Sequence, residues 1–155
     1  MPLSIHHPAP TFSLLDQDGQ TRALADYTGR WLVLYFYPKD DTPGCTTEAC
    51  SFRDSFQEFT KRGIEVIGIS VDPVKSHKKF TEKYQLPFTL LSDTEKTMVA
   101  NYDVWATKKM YGKEYMGILR TTYLIDPKGM IAAVYENVKP ETHIEQILVD
   151  TVANA

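Results

Sequence analysis

Trp31-Leu32-Val33-Leu34-Tyr35-Phe36-Tyr37-Pro38-Lys39-Asp40-Asp41-Thr42-Pro43-Gly44-Cys45-Thr46-Thr47-Glu48-Ala49-Cys50 is the run that decides the fold. Its first seven residues are a continuous apolar stretch of strand length, as expected of a strand covered on both faces. Pro38 ends the stretch. From Pro43 the apolar period changes to that of a helix: Cys45, Ala49, Phe52, Phe56 and Phe59 are spaced four, three, four and three and share one face. Gly63 is placed to stop that helix. A buried strand, a polar turn and a helix start carrying a cysteine are the parts of a reactive thiol site.

The flanking sequence repeats the alternation. Thr11–Leu15 and Thr21–Leu24 bracket Asp18-Gly19 as a hairpin, and residues 1–10 read as an extended arm. Ile64–Val71 is β-branched and reads as a second buried strand. Pro73–Tyr84 reads as a surface helix with Phe80 and Tyr84 inward. Pro87–Leu91 is a short strand, with Ser92-Asp93 capping a short helix over Thr97–Tyr102. Residues 103–117 lack periodicity and read as a loop, in which Trp105 and Tyr111 either pack or line a pocket or docking surface. Ile118–Ile125 and Met130–Tyr135 flank the turn Asp126-Pro127-Lys128-Gly129, and a helix from Pro140 to about Val152 closes the chain. Strands alternating with helices predict an α/β fold, with a mainly parallel central sheet, helices on both faces and an antiparallel edge. The 155 residues suit one domain, 1–155.

Composition narrows the function. The net charge of −3 gives no reason to expect nucleic acid, and no apolar run spans a bilayer. The N-terminus lacks the basic and apolar regions of a secretory signal, so a cytoplasmic location is expected. The four histidines and two cysteines do not fall at metal-ligand spacing. His77 and His143 read as solvated helix residues. Two cysteines five positions apart, in a chain whose thiols are reduced at rest, point to redox work.

With Thr42 as N-cap, Pro43 falls at N1 and Cys45 at N3, where the positive end of the helix dipole favours a thiolate. The Thr42 side chain is expected to accept from a first-turn amide. Cys45 also lies on the apolar stripe, so a nearby cation is expected. Along an ideal helix the Cα atoms of Cys45 and Cys50 stand ~8.7 Å apart. A disulfide needs about 4.4–6.8 Å. The two either never pair or pair only after the first helical turns unwind.

Pro38, Thr42 and Cys45 match the Pro-x-x-x-Thr-x-x-Cys signature of peroxiredoxins, and the run Tyr35–Cys45 resembles the bacterioferritin comigratory protein, or peroxiredoxin Q, branch. Ile67–Asp72, Ser76-His77, Lys83-Tyr84, Leu86–Phe88, Leu91–Asp93 and Arg120–Asp126 follow in that branch's order, so the likeness covers essentially the whole chain. One departure is His6-His7, where the family usually has Gly-Asp.

The resemblance implies a thioredoxin-like fold with an N-terminal hairpin extension, and a peroxidase acting on hydrogen peroxide and alkyl hydroperoxides. It makes Cys45 the peroxidatic cysteine, which passes through a sulfenic acid, and Arg120 the cation beside it. Pro38 and Thr42 shape the pocket, Glu48 orients the arginine, and Cys50 is the resolving cysteine of an intramolecular disulfide. Thioredoxin or a similar dithiol is the implied reductant, and no metal, haem or flavin is needed. An intramolecular partner removes the need for a dimer, so a monomer is expected. Two other functions compete. A disulfide oxidoreductase more naturally carries Cys-x-x-Cys. A redox-sensing switch or holdase would use the same helix unwinding.

Overall fold

The computed structural model describes residues 3–136, 138–139 and 143–153. Among the described residues nine strands and five α-helices follow in the order β1 (Ser13–Asp16), β2 (Thr21–Ala23), β3 (Trp31–Phe36), α1 (Pro43–Asp54), α2 (Phe56–Lys61), β4 (Ile64–Ser70), α3 (Val74–Tyr84), β5 (Thr89–Ser92), α4 (Thr97–Asn101), β6 (Trp105–Met110), β7 (Lys113–Ile118), β8 (Thr121–Ile125), β9 (Ile131–Tyr135) and α5 (His143–Ala153). Seven strands form one mixed sheet in the order β2-β1-β5-β4-β3-β8-β9. The apolar strands β3 and β4 lie inside it and pair in parallel, Trp31 opposite Ile64 through Phe36 opposite Ile69. β8 runs antiparallel on the other side of β3, with Thr121 opposite Phe36.

Alternation along β3 divides the interior. Leu32, Leu34 and Phe36 join Ile67, Ile69, Tyr123 and Ile125 on one face, under Met98 and Val99 of α4. Val33, Tyr35 and Tyr37 face the other way, against Cys45, Ala49 and Phe52 of α1, Phe59 of α2, Phe80 of α3 and Ile147 of α5. The two faces of the sheet thus carry separate apolar clusters, and the cysteine of the helix start belongs to one of them.

Several expectations need correction. The central sheet is not mainly parallel: β3–β4 and β4–β5 pair in parallel, whereas β1–β2, β1–β5, β3–β8 and β8–β9 are antiparallel. The helix expected from Pro43 to Gly63 breaks at Ser55 (φ −103°, ψ 6°), dividing it into α1 and α2. Residues 103–117 are no loop: β6 and β7 form a hairpin of their own, turned at Tyr111 and Gly112, which both have positive φ. The strand expected over Ile118–Ile125 is interrupted at Leu119-Arg120, so that Ile118 closes the hairpin and Thr121 starts β8 in the main sheet. The expected start of the last helix at Pro140 lies outside the described residues, as does the side chain of Val152. At the N-terminus, His6 adopts φ 68°, a left-handed conformation that suits glycine better than a histidine. The N-cap of α4 is Lys96, not Ser92 or Asp93, and it makes no side-chain cap; Asp93 instead reaches in from three positions earlier, its Oδ2 accepting from the Val99 amide at 2.8 Å.

Candidate active site

α1 starts just beyond the end of β3. Thr42 is extended at the N-cap (φ −102°, ψ 155°), Pro43 occupies N1, and Cys45 occupies N3. The first-turn amides of Gly44 and Cys45 have no intrahelical acceptor. Thr42 departs from its expected bond. Its hydroxyl donates backward to the Lys39 carbonyl at 2.9 Å and makes no side-chain cap, which stabilises the turn before the helix. Pro38 follows Tyr37, whose amide makes one more bond to β4, to the Ile69 carbonyl at 3.1 Å.

Arg120 reaches the same place from the break between β7 and β8. Because β8 is antiparallel to β3, its first residues lie beside the last residues of β3. The guanidinium donates through Nη2 to Cys45 Sγ at 3.2 Å and through Nη1 to Glu48 Oε1 at 2.7 Å. Glu48 is three positions after Cys45 on α1, hence on the same side of the helix. Gly44 makes room for the arginine, since a Cβ there would stand 3.2 Å from Nη2. Burial pushes the Glu48 carboxyl up to about 7, against the pull of Arg120, and its Oε2 has no hydrogen-bond partner. Burial alone would lower the Arg120 pKa, but the charges of Glu48 and Cys45 outweigh it and hold the guanidinium above its ordinary value. A fixed cation therefore meets one sulfur and one carboxyl in a space largely closed to solvent.

Cys50 is half-buried farther along the intact α1, and both thiols are free. Cys45, Glu48 and Arg120 meet in the first turns of α1, whose N-cap is Thr42; Pro38 lies in the segment before the helix, and Cys50 stands farther along it.

The turn before α1 is more heavily braced than its sequence reveals. Asp40 Oδ1 accepts from the Tyr37 hydroxyl at 2.6 Å, and its Oδ2 meets the Ser76 hydroxyl and His77 Nδ1, each at 2.7 Å. His77 is fully buried rather than solvated, and its Nε2 donates to the Leu91 carbonyl at 2.9 Å. With that proton on Nε2, a second proton must lie between Nδ1 and Asp40, so the pair is neutral overall whichever atom holds it. His143, also expected in solvent, is buried with Nε2 2.8 Å from Thr122 Oγ1. Asp40, Asp72 and His77 bring possible metal-ligand atoms within 4.8 Å of one another. Those atoms already serve hydrogen bonds, Asp72 Oδ2 accepting from the Asp40 amide and the Ser70 hydroxyl, so the set fits a structural brace better than a metal site.

Lys108 of β6 was not singled out by its sequence. It is half-buried and lies over Gly117, where a Cβ would meet its Cδ at 3.0 Å. Burial, together with the Arg120 cation, holds its amine below the ordinary value, while the charge of Cys45 opposes them. Trp105 packs against the core and Tyr111 is fully in solvent at the hairpin tip.

A helix-start cysteine met by an arginine from the break just before a neighbouring strand, on a mixed sheet of this order, defines a thioredoxin-like protein with a thiol site. Residues 5–134 match the AhpC/TSA family, and the chain belongs to that family. It is 48% identical over 148 residues to the putative peroxiredoxin bcp of Coxiella burnetii, covering 96% of this chain and 98% of that one. Identity to peroxiredoxin Bcp of Bacillus subtilis is also 48% over 148 residues, covering 96% and 94%. Among solved structures, a cysteine-to-serine mutant of Xanthomonas campestris peroxiredoxin Q superposes with a TM-score of 0.91 at 39% identity over 100% of both chains. A complex of the Xanthomonas campestris bacterioferritin comigratory protein, studied for its alkyl peroxide reduction, gives 0.87 at 39% identity over 92% and 91%. These relatives place the chain in the Bcp/peroxiredoxin Q branch that its sequence resembles.

Proposed function

We propose that this protein is a thiol peroxidase in which Cys45 attacks the O–O bond of hydrogen peroxide or an alkyl hydroperoxide. The observation that carries the reading is the Arg120 Nη2–Cys45 Sγ contact at 3.2 Å, made at the N3 position of α1. The arginine favours negative charge on the sulfur, and its planar fork can hold the peroxide oxygens as charge moves between them. The sulfur bonds to one peroxide oxygen, the O–O bond breaks, and its electron pair leaves on the other oxygen, which takes up a proton. The products are the Cys45 sulfenic acid and water or an alcohol. The free amides of Gly44 and Cys45 face the charge developing there. Thr42, its proton given to Lys39, keeps lone pairs to accept the peroxide O–H, and Pro38 shields the pocket. Glu48 fixes the plane of the guanidinium through its 2.7 Å bond.

Cys50 resolves the intermediate: its thiol attacks the sulfenic sulfur, forming the Cys45–Cys50 disulfide and releasing water. Thioredoxin or a similar dithiol then reduces the disulfide by exchange. The chain works as one domain and as a monomer in the cytoplasm, serving antioxidant defence. A purely sensory switch has no need of an arginine fork at the sulfur, which favours the enzyme.

Stopped-flow mixing of reduced protein with peroxide tests the first step. Wild type should consume peroxide orders of magnitude faster than free cysteine, and Cys45→Ser should not consume it. A wild-type rate equal to that of free cysteine would end the enzyme reading. Intact mass after one equivalent of peroxide tests the second step, with loss of two hydrogens and no dimer as the expected result.

A further inference from the structure

Both flanks of the segment that must unwind are bonded to a single residue. Tyr84, the last residue of α3, donates through its hydroxyl to Asp41 Oδ1 at 2.7 Å, two positions before α1 begins. Its carbonyl accepts from Arg53 Nη1 at 2.8 Å, close to the end of α1. Lys83 reinforces the front bond, its Nζ lying 2.8 Å from Asp41 Oδ2. Asp41 itself is in the left-handed region (φ 56°), a conformation uncommon for residues other than glycine, at the turn into α1. The rear bond puts a cation on the free carbonyl end of α3, where the helix dipole favours it. The Tyr84 ring is anchored edge-on to the buried Phe80, with centroids 5.5 Å apart.

We propose that Tyr84 is a positioning residue of the redox cycle, holding both ends of residues 42–52 while Cys45 and Cys50 leave the helix to meet. This rests on the Cys45–Cys50 reading above. Asp41 lies before the turns that have to open and Arg53 lies after them, so neither bond is broken by the unwinding itself. With its ends fixed on α3, the opened segment is a short closed loop, and the two sulfurs remain at high effective concentration. Released at one end, the same segment samples a larger volume and the sulfurs meet less often. Covalent chemistry is unchanged in either case: the Cys50 thiol attacks the Cys45 sulfenic sulfur, a disulfide forms and water leaves.

The direction of the effect separates this role from simple stabilisation. A residue that only steadies α1 would, when altered, make unwinding easier and disulfide closure faster. A clamp that persists in both states would, when altered, make closure slower. Tyr84→Phe removes the hydroxyl and keeps the carbonyl and the ring. Rapid-quench mass spectrometry would follow sulfenic acid, disulfide and sulfinic acid separately. Closure in Tyr84→Phe should be slower by about threefold to tenfold, with a matching rise in sulfinic acid at high peroxide. Sulfenic acid formation should change less than closure does. Arg53→Met, which frees the other end, should act in the same direction.

Hydrogen exchange on oxidised wild type needs no variant. Residues 43–50 should lose protection while residues 53–61 keep theirs. Closure at the wild-type rate or faster in both variants, or protection lost through residues 53–61 on oxidation, would overturn the clamp alone. Wild type that forms no intramolecular disulfide would overturn the resolving role of Cys50 and the clamp with it.

Discussion

Glu48 is 1% exposed, yet its carboxyl titrates close to neutral pH. Burial favours the protonated form, and the Arg120 hydrogen bond favours the carboxylate. Burial dominates, moving the group from an ordinary 4.5 up to about 7. The folded protein therefore holds a proton on Glu48 that the unfolded chain has lost between those two values. Stability from this group is fully present below pH 4.5, declines as pH rises through about 7, and is level above that. The total is about 3 kcal/mol, at 1.36 kcal/mol per unit. Glu48→Gln abolishes the titration, so its stability relative to wild type should be higher at pH 8 than at pH 5 by roughly that amount. Urea unfolding of both proteins at the two pH values checks this, and a difference independent of pH would show that Glu48 does not take up a proton on folding.

At the scale of elements, α5 is held on the sheet by its apolar face and by one buried imidazole. His143 lies 2.8 Å from the Thr122 hydroxyl of β8, with its ring edge-on to Phe52 of α1 and Tyr135 of β9. Burial holds it down at about 4, from an ordinary 6.5. Its contribution is complete above pH 6.5 and is lost as pH falls through about 4, about 3 kcal/mol in all. His143→Gln should flatten that limb, and circular dichroism through an acid titration would show a smaller loss for the variant than for wild type. The windows of Glu48 and His143 overlap with opposite sign, so the wild-type profile conceals both groups and the variants reveal them separately.

The sequence hides such braces for a physical reason. A histidine at a polar helix position looks solvated until a partner arrives from elsewhere, as Asp40 does for His77 from 37 positions away and Thr122 does for His143 from 21. The hairpin of β6 and β7 is hidden differently: most of β7 is exposed, so burial imposes no apolar alternation on it. By contrast, Trp31–Tyr37 and Ile64–Val71 show themselves because both faces of β3 and β4 are buried. Cys45 is legible from its place at a helix start and its burial calls for a cation, whereas choosing Arg120 as that cation rests mainly on resemblance.

Across the whole molecule, the site is fastened to the core through Phe52. Its ring stacks on Tyr35 of β3 at 4.6 Å and packs near Phe59 and Phe88, so α1, α2 and the sheet share one aromatic cluster. Phe52→Ala should cost about 3–5 kcal/mol in denaturant unfolding, the usual range for emptying such a position. A cost below about 1 kcal/mol, the scale of well-tolerated core swaps, would mean that α1 is not integral to the core. The pairing of Phe36 with Thr121 has a consequence for diversification. The cysteine side and the arginine side of the site issue from adjacent strand ends of the same sheet, while the β6–β7 hairpin is spliced in just before Arg120. Insertions or substitutions at the exposed Tyr111-Gly112 tip can therefore alter that surface without moving the Cys45 and Arg120 side chains. The Cys45–Arg120 pair and the exposed hairpin tip are held in separable parts of the chain, and a designer, like natural variation, can alter one while leaving the other alone.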